Sequence, residues 1–173
     1  AVKKGDKLAG TRIIPLVIEE EKMKKVKAQT MELTGGKPIL ELKPFQHKQV
    51  GIITTGNEVF HGRIQDTFTP VIVDKLAEFN AEVTDHVTWD DDDKKVTASI
   101  LDMIEKGADI VICTGGMSVD PDDKTPLAIK NTGARIVSYG APVLPGAMFL
   151  LAYYDRVEQG KNRRTVIMGL PGC

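Results

Sequence analysis

The residues best suited to chemistry lie between Ala108 and Asp123, ADIVICTGGMSVDPDD, where an apolar run breaks into a double glycine followed by hydroxyl and acidic positions. Ile110, Val111, Ile112 and Cys113 show no polar alternation, the pattern of a strand covered on both faces. Gly115 and Gly116 then allow a sharp turn that brings bare N–H groups against an anion, with Thr114 and Ser118 beside them. Asp120, Asp122 and Asp123 follow closely. Carboxylates next to an N–H-lined anion site are the arrangement in which a phosphate meets a divalent cation. A short helix is expected to start near Lys124 to Pro126, so Asp123 is either a metal or water ligand or simply the N-cap of that helix.

Three further stretches carry candidate groups. Thr54, Thr55, Gly56 and Asn57 read as a strand-exit turn with free N–H groups, and Glu58 is the first acid after it. The block Asp90 to Asp93 is in isolation a solvated helix start favoured by the macrodipole, yet one of its acids falls where it can hold Mg²⁺ beside a phosphate. YGAPVLPG (139–146) and GLPG (169–172) are either stiff turns or, together, a backbone-lined slot for a flat heterocycle, with Pro145, Gly146, Pro171 and Gly172 as its lining. His47, His61 and His86 have no metal-ligand spacing, and neither a Walker sequence nor GxGxxG occurs. Trp89 beside the acids reads as core packing.

The elements that must position these groups alternate regularly from Val50 onward. Strands are expected at Val50 to Thr54, Ala81 to Val87, Ala108 to Thr114, Arg135 to Tyr139, Met148 to Tyr154 and Thr165 to Gly169. Helices are expected at Asp66 to Asn80, capped by its first Asp, and at Asp93 to Lys106. Strands alternating with amphipathic helices make an α/β fold with a mostly parallel sheet, in which the loops after the first three strands gather at one edge. Residues 1–48 form an annex, part of a preceding domain or a linker: a turn and short strand in KKGDKLAGTRII, a charged helix over Ile18 to Leu33, a short strand over Pro38 to Leu42, and a linker over Pro44 to Gln49. Residues 49–173 are the α/β domain.

Composition narrows the function classes. The 173 residues hold 42% apolar and 27% charged side chains with a net charge of −1, which gives no reason to expect nucleic acid as partner. The charge is uneven. Residues 1–48 carry 11 Lys/Arg against 6 Asp/Glu, and the remainder carries 12 against 18. Cys113 and Cys173 form no CxxC pair, so neither a disulfide nor a zinc site is expected, and a reducing cytoplasm fits. No apolar run approaches a membrane span. The missing initiator Met and the end at GLPGC suggest a piece of a longer protein, cut short at its C-terminus.

TTGNEV, the WDDDD block, TGGMSVDPDD and the terminal GLPG occur in the order found in the molybdopterin-binding domain of molybdenum-cofactor biosynthesis proteins, the MoeA/MogA/gephyrin type, which Val50 to Cys173 resembles. GDKLAGTRIIP to PILELKP is similar, more weakly, to the segment preceding this domain in MoeA-type proteins. The resemblance implies a three-layer α/β/α domain and a cytoplasmic homo-oligomer working with other cofactor-assembly proteins. Its ligand would be molybdopterin or the adenylylated form. The implied activity is Mg²⁺-dependent: adenylylation with ATP, or insertion of molybdate. Matched by motif, Glu58, Asp91 and Asp123 are the catalytic and Mg²⁺-binding acids, with the register among Asp90 to Asp93 left open. The ligand-binding positions are Thr55, Gly56, Asn57, Thr114, Gly115, Gly116, Ser118, Pro145, Gly146, Pro171 and Gly172. The chain departs from the family in APVLPGA where PGKP is usual, in Cys173 where Asn-Pro follows GLPG, and in Thr-Phe after Asp66 where Ser-Asn is usual. These departures touch the ligand slot, so pterin binding is better supported than molybdate insertion. Two other functions stay open: a non-catalytic molybdopterin carrier, and a nucleotide hydrolase of the competence-damage type acting on ADP-ribose or a nicotinamide nucleotide.

Overall fold

A computed structural model describes residues 2–10, 12, 14–117, 123–140, 142, 144 and 146–171. The chain divides into two compact units, Ala1–Pro44 and Phe45–Cys173.

In the first unit the charged segment forms helix α1, Glu20–Thr34, which buries none of its side chains. It ends where Gly35 adopts a left-handed φ of 57°, and Gly36 N–H donates back to the Met31 carbonyl at 2.9 Å, the hydrogen-bonding of a Schellman cap. The short strands expected in KKGDKLAGTRII and over Pro38 to Leu42 do not form among the described residues. A strand is stable only beside a partner, and no pairing reaches those segments.

The second unit is one six-stranded sheet in the order β2-β1-β3-β6-β5-β4. Its strands are β1 Lys48–Thr55, β2 Ala81–Trp89, β3 Ile110–Thr114, β4 Arg135–Tyr139, β5 Leu150–Glu158 and β6 Lys161–Leu170. β1 pairs in parallel with β2 and β3, and β3 with β6. β5 is antiparallel to both β4 and β6, so it alone runs against the rest. Helices α2 Asn57–Phe60, α3 Phe68–Ala77, α4 Asp93–Glu105 and α5 Thr125–Asn131 complete the unit.

Side-chain alternation on the central strands sorts the core into two layers. Val50, Ile52 and Ile112 pack with Ile72 and Leu76 of α3 on one face. Ile53, Val111 and Cys113 pack on the other face with Val96, Ile100, Met103 and Ile104 of α4 and with Ala128 and Ile129 of α5. Burying both faces explains the unbroken apolar run of β3. Gly51 is required by close approach: a Cβ there would collide with the Met103 side chain of α4.

The largest difference from the sequence expectation is the β5–β6 hairpin, which extends both strands beyond their predicted ends. Gln159 (φ 51°) and Gly160 (φ 74°) are both left-handed, as a tight two-residue hairpin turn requires. The strands here are charged, which hides the alternation. Asp155 stands opposite Arg164 in the ladder and takes its Nε at 2.6 Å, while Glu158 takes both Arg156 and Arg163 at 3.1 Å. Arg156 also donates to the Ile104 carbonyl and Arg163 to that of Gly107 at 2.7 Å, so the hairpin closes the C-terminal end of α4.

Candidate functional site

Strand register decides where the loops meet. Thr54 lies level with Thr88 of β2 and Thr114 of β3, Thr55 with Trp89, and Thr114 with Leu170 of β6. The segments beginning at Gly56, Asp90, Gly115 and Pro171 therefore leave the sheet side by side. β4 runs with these strands and β5 against them, so the loop between Tyr139 and Leu150 returns at the same edge. Ligands of open α/β sheets bind at this edge.

Around it lies a cleft of about 580 Å³, lined by Asn57, Asp90, Asp91, Asp92, Asp93, Lys94 and Lys124. The four aspartates are not equivalent. Asp90 receives Lys95 Nζ on both oxygens, at 2.9 and 3.0 Å, and that ammonium also lies 5.6 Å from the Trp89 ring and 5.9 Å from Phe60. Asp92 caps α4 by accepting the N–H groups of Lys94 (2.9 Å) and Lys95 (3.2 Å); the Lys95 N–H is the main cause of its lowered pKa, while partial desolvation opposes it. Asp93 accepts Asn131 Nδ2 at 3.4 Å. Asp91 alone of the four has no side-chain hydrogen bond or ion pair among the described residues, and it faces the cleft.

The double-glycine loop is fixed from below. Gly115 (φ 81°) and Gly116 (φ 54°) occupy the left-handed region. A Cβ on Gly115 would strike the Thr55 carbonyl, and one on Gly116 would sit 2.8 Å from Thr125 Oγ1. Thr55 Oγ1 donates to the Thr114 carbonyl at 3.2 Å and lies 3.2 Å from Thr125 Oγ1, which donates to the Gly115 carbonyl at 3.0 Å. Met117, 2% exposed, fills the space that a side chain at Gly169 would take. The buried hydroxyls of Thr55 and Thr125 thus hold the loop, and Thr114, also buried, takes part through its backbone carbonyl. Gly56 donates its N–H to the Trp89 carbonyl at 3.1 Å, so this part of the strand-exit turn is already paired and not free as expected.

Glu58 is exposed on α2 and outside the cleft lining. Asp123 is half-buried just before Lys124, and its Oδ2 is a buried atom without a hydrogen-bond partner among the described residues. Gly146 and Pro171 lie half-buried at the same edge, while Ser118, Pro145 and Gly172 fall outside the described residues. Glu58, Asp91 and Asp123 do not converge: no group of three His, Cys, Asp or Glu among the described residues is placed to hold a metal ion. The site therefore fits Mg²⁺ only in the form in which that ion takes one or two carboxylates and completes its shell with water and ligand phosphate. The Asp123 oxygen, unpartnered among the described residues, calls for a hydrogen-bond donor or a cation.

Sequence reading missed a buried polar network under the first loop. Thr54 Oγ1 lies 3.0 Å from Thr69 Oγ1, 3.0 Å from His86 Nε2 and 3.3 Å from Asp66 Oδ2. Asp66 also accepts the N–H groups of Phe68 and Thr69 at 3.0 Å and the Thr69 hydroxyl, so it is the working cap of α3. Burial opposes its ionisation, but the Thr69, Phe68 and Thr54 hydrogen bonds outweigh burial and hold the carboxyl below its ordinary range. The signal available was Asp at a helix start three residues before Thr.

Comparison with known proteins agrees with this architecture. Residues 51–173 match the family described as "Probable molybdopterin binding domain". Among solved structures, the tungsten cofactor synthesizing protein MoaB from Pyrococcus furiosus superposes with a TM-score of 0.61 at 24% identity, over 74% of this chain and 84% of that one. CinA from Thermoplasma acidophilum superposes with a TM-score of 0.58 at 19% identity, over 73% and 89%. In sequence, a CinA-like protein of Mycobacterium tuberculosis is 35% identical over 77 residues, which are 44% of this chain and only 18% of that relative's length. No helix among the described residues is long and apolar enough to cross a membrane.

Proposed function

The chain belongs to the molybdopterin-binding domain family, and we propose that it binds molybdopterin in the cleft at the strand ends and acts in molybdenum-cofactor assembly as a Mg²⁺-dependent adenylyl- or molybdotransferase. The observation that carries this reading is the convergence, through strand register, of Asn57, the acid block and Lys124 on one cleft beside the pinned double-glycine loop.

In this reading Asp91, the aspartate of the 90–93 block left uncommitted among the described residues, meets a metal ion or a donor group of the ligand, and Asp123 adds a second carboxylate from the loop. Asn57 orients the ligand by its amide. Glu58, outside the lining, contributes least. Mg²⁺, when bound, supplies charge neutralisation between phosphate oxygens. Thr55 and Thr125 keep the loop rigid, so that its N–H groups are already oriented when the anion arrives.

Isothermal titration with molybdopterin, with and without Mg-ATP, tests the proposal. Binding with a nucleotide-dependent heat that Asp123→Asn or Asp91→Asn abolishes supports an assembly enzyme. Pterin binding indifferent to nucleotide and to both substitutions makes the domain a carrier.

The sequence similarity to CinA-like proteins favours a second reading, hydrolysis of ADP-ribose or a nicotinamide nucleotide in the same cleft. Metal-dependent release of AMP from ADP-ribose, with no molybdopterin binding, selects it.

A further inference from the structure

We infer that His86 is a positioning residue for the strand-end cleft: its Nε2–H donates into a one-way chain of hydroxyls, Thr54 and Thr69, that ends on Asp66 and clasps the loop carrying Asn57. The consequence for binding rests on the reading that this cleft takes the ligand.

The loop between β1 and α3 needs such a clasp. From Phe60 to Ile64 its backbone N–H groups bond only to carbonyls of the same loop, those of Gly56, Asn57, Glu58 and Val59. Residues 60–65 are all exposed. At its start the loop is attached by the Gly56 N–H on the Trp89 carbonyl and by the Phe60 ring, 6.4 Å from that of Trp89. At its far end the attachment is Asp66, which meets Thr54 across the base of the loop at 3.3 Å and so closes it. Thr54 and Thr55 point to opposite faces of the sheet, so the clasp on one face and the tie to Thr125 on the other fix the strand end from which Asn57 leaves.

The direction of the chain follows from counting protons. A carboxylate only accepts, and each hydroxyl has one proton to give. Asp66 is held ionised at neutral pH, and the Thr69 hydroxyl donates to its Oδ2. The Thr54 proton is then spent on Thr69 at 3.0 Å or on Asp66 itself. Either way Thr54 has none left for His86, so the proton between them, across 3.0 Å, belongs to the ring. The opposite direction would take the Thr69 proton for Thr54 and set a hydroxyl lone pair against the carboxylate. Neutral Nε2–H imidazole and imidazolium both donate at Nε2, so the order survives protonation of the ring. His86 is otherwise exposed, and among the described residues no hydrogen bond reaches its Nδ1. Its protein bond is thus the one that anchors the clasp to β2.

The test uses the whole chain as wild type, His86→Leu, His86→Gln, whose amide still donates, and His47→Leu as a control at the other end of β1. Nitrogen NMR of the neutral ring should show the Nε2–H form alone, relaxing toward the mixture of forms found in water in Thr54→Val. Amide hydrogen exchange of Phe60 to Ile64 should quicken about fivefold in His86→Leu, the worth of one hydrogen bond, with α4 unchanged. His86→Gln should restore it, and in a Thr54→Val background His86→Leu should add nothing. Molybdopterin titration should show several-fold weaker binding by His86→Leu only. An Nδ1–H ring, or exchange that is unchanged or quickened equally throughout the chain, overturns the clasp. Equal molybdopterin binding by wild type and His86→Leu overturns the positioning role and leaves the pterin reading standing. If wild type binds no molybdopterin, the pterin reading falls, and the exchange and the ring proton decide the clasp by themselves.

Discussion

Replacing Asp66 should cost more stability than any other single change at the site edge, because four hydrogen bonds end on its carboxylate. Two come from the first N–H groups of α3 and two from the hydroxyls of Thr69 and Thr54, which are 8% and 5% exposed. Losing an N-cap costs about 1 kcal/mol. Leaving buried hydroxyls without their acceptor adds about 1 to 3 kcal/mol, partly offset because Thr54 and Thr69 still reach each other. Asp66→Ala should therefore lose about 2 to 4 kcal/mol. Asp66→Asn keeps the cap but not the charge and should lose about 1 kcal/mol. The pH dependence has a fixed sign. Asp66 is held below its ordinary value of 3.8, so its contribution is complete above that pH and disappears as pH falls below it. Urea unfolding followed by the fluorescence of Trp89, the only tryptophan, measures all of this at pH 7 and pH 3. An Asp66→Ala loss under about 0.5 kcal/mol at pH 7, the level of an ordinary surface change, would refute the network as described. So would a gap between wild type and Asp66→Asn that is as wide at pH 3 as at pH 7.

Gly115→Ala combines a left-handed φ with a collision against the Thr55 backbone, which cannot yield as a side-chain tip can; it should lower stability by about 2 to 3 kcal/mol and weaken ligand binding in the same titration. Gly51→Ala meets the Met103 side chain and no backbone, so its cost should be smaller and should shrink further when combined with Met103→Ala, a coupling read from a double-mutant cycle of urea unfolding. Cys113 is wholly buried, and burial pushes its thiol up to about 12. In a Cys173→Ser background it should resist a thiol reagent at pH 8 until urea unfolds the chain, and prompt labelling of the native state would contradict its place in the core. Thr125→Val preserves volume but removes the hydroxyl that bonds Gly115 and Thr55, and should weaken molybdopterin binding in the isothermal titration several-fold with a stability loss of about 1 kcal/mol.

The parallel core was legible because burial on both faces writes itself into composition: Ile110 to Cys113 and Val50 to Thr54 carry no polar alternation, and α4 carries Val96, Ile100, Met103 and Ile104 at helical spacing. The hairpin was only half legible. From Asp155 to Arg164 its strands are held by cross-strand ion pairs, and charged residues in sequence look like a loop until a partner strand neutralises them. Asn80 and Gln159, both left-handed, mark the end of the α3 connection and the hairpin turn, positions where Gly would have been the readable signal.

At the site, four consecutive aspartates have no internal register that sequence can supply, since each is chemically the same. The register emerges from competition for partners in space. A lysine five residues on returns to Asp90 through the first turn of α4; the N–H groups of that turn select Asp92; Asn131 of α5 reaches Asp93. Each of these claims depends on where α4 begins relative to β2, a property of the whole unit. Asp91 is what the competition leaves. The same logic separates the hydroxyls: Thr55 and Thr114 have the residue type of ligand contacts, but both are buried and the Thr55 hydroxyl is spent on the Thr114 carbonyl, whereas exposed Asn57 and Lys124 line the cleft. A residue type announces which bonds a side chain can make. Only the fold decides which of those bonds are still open to a ligand.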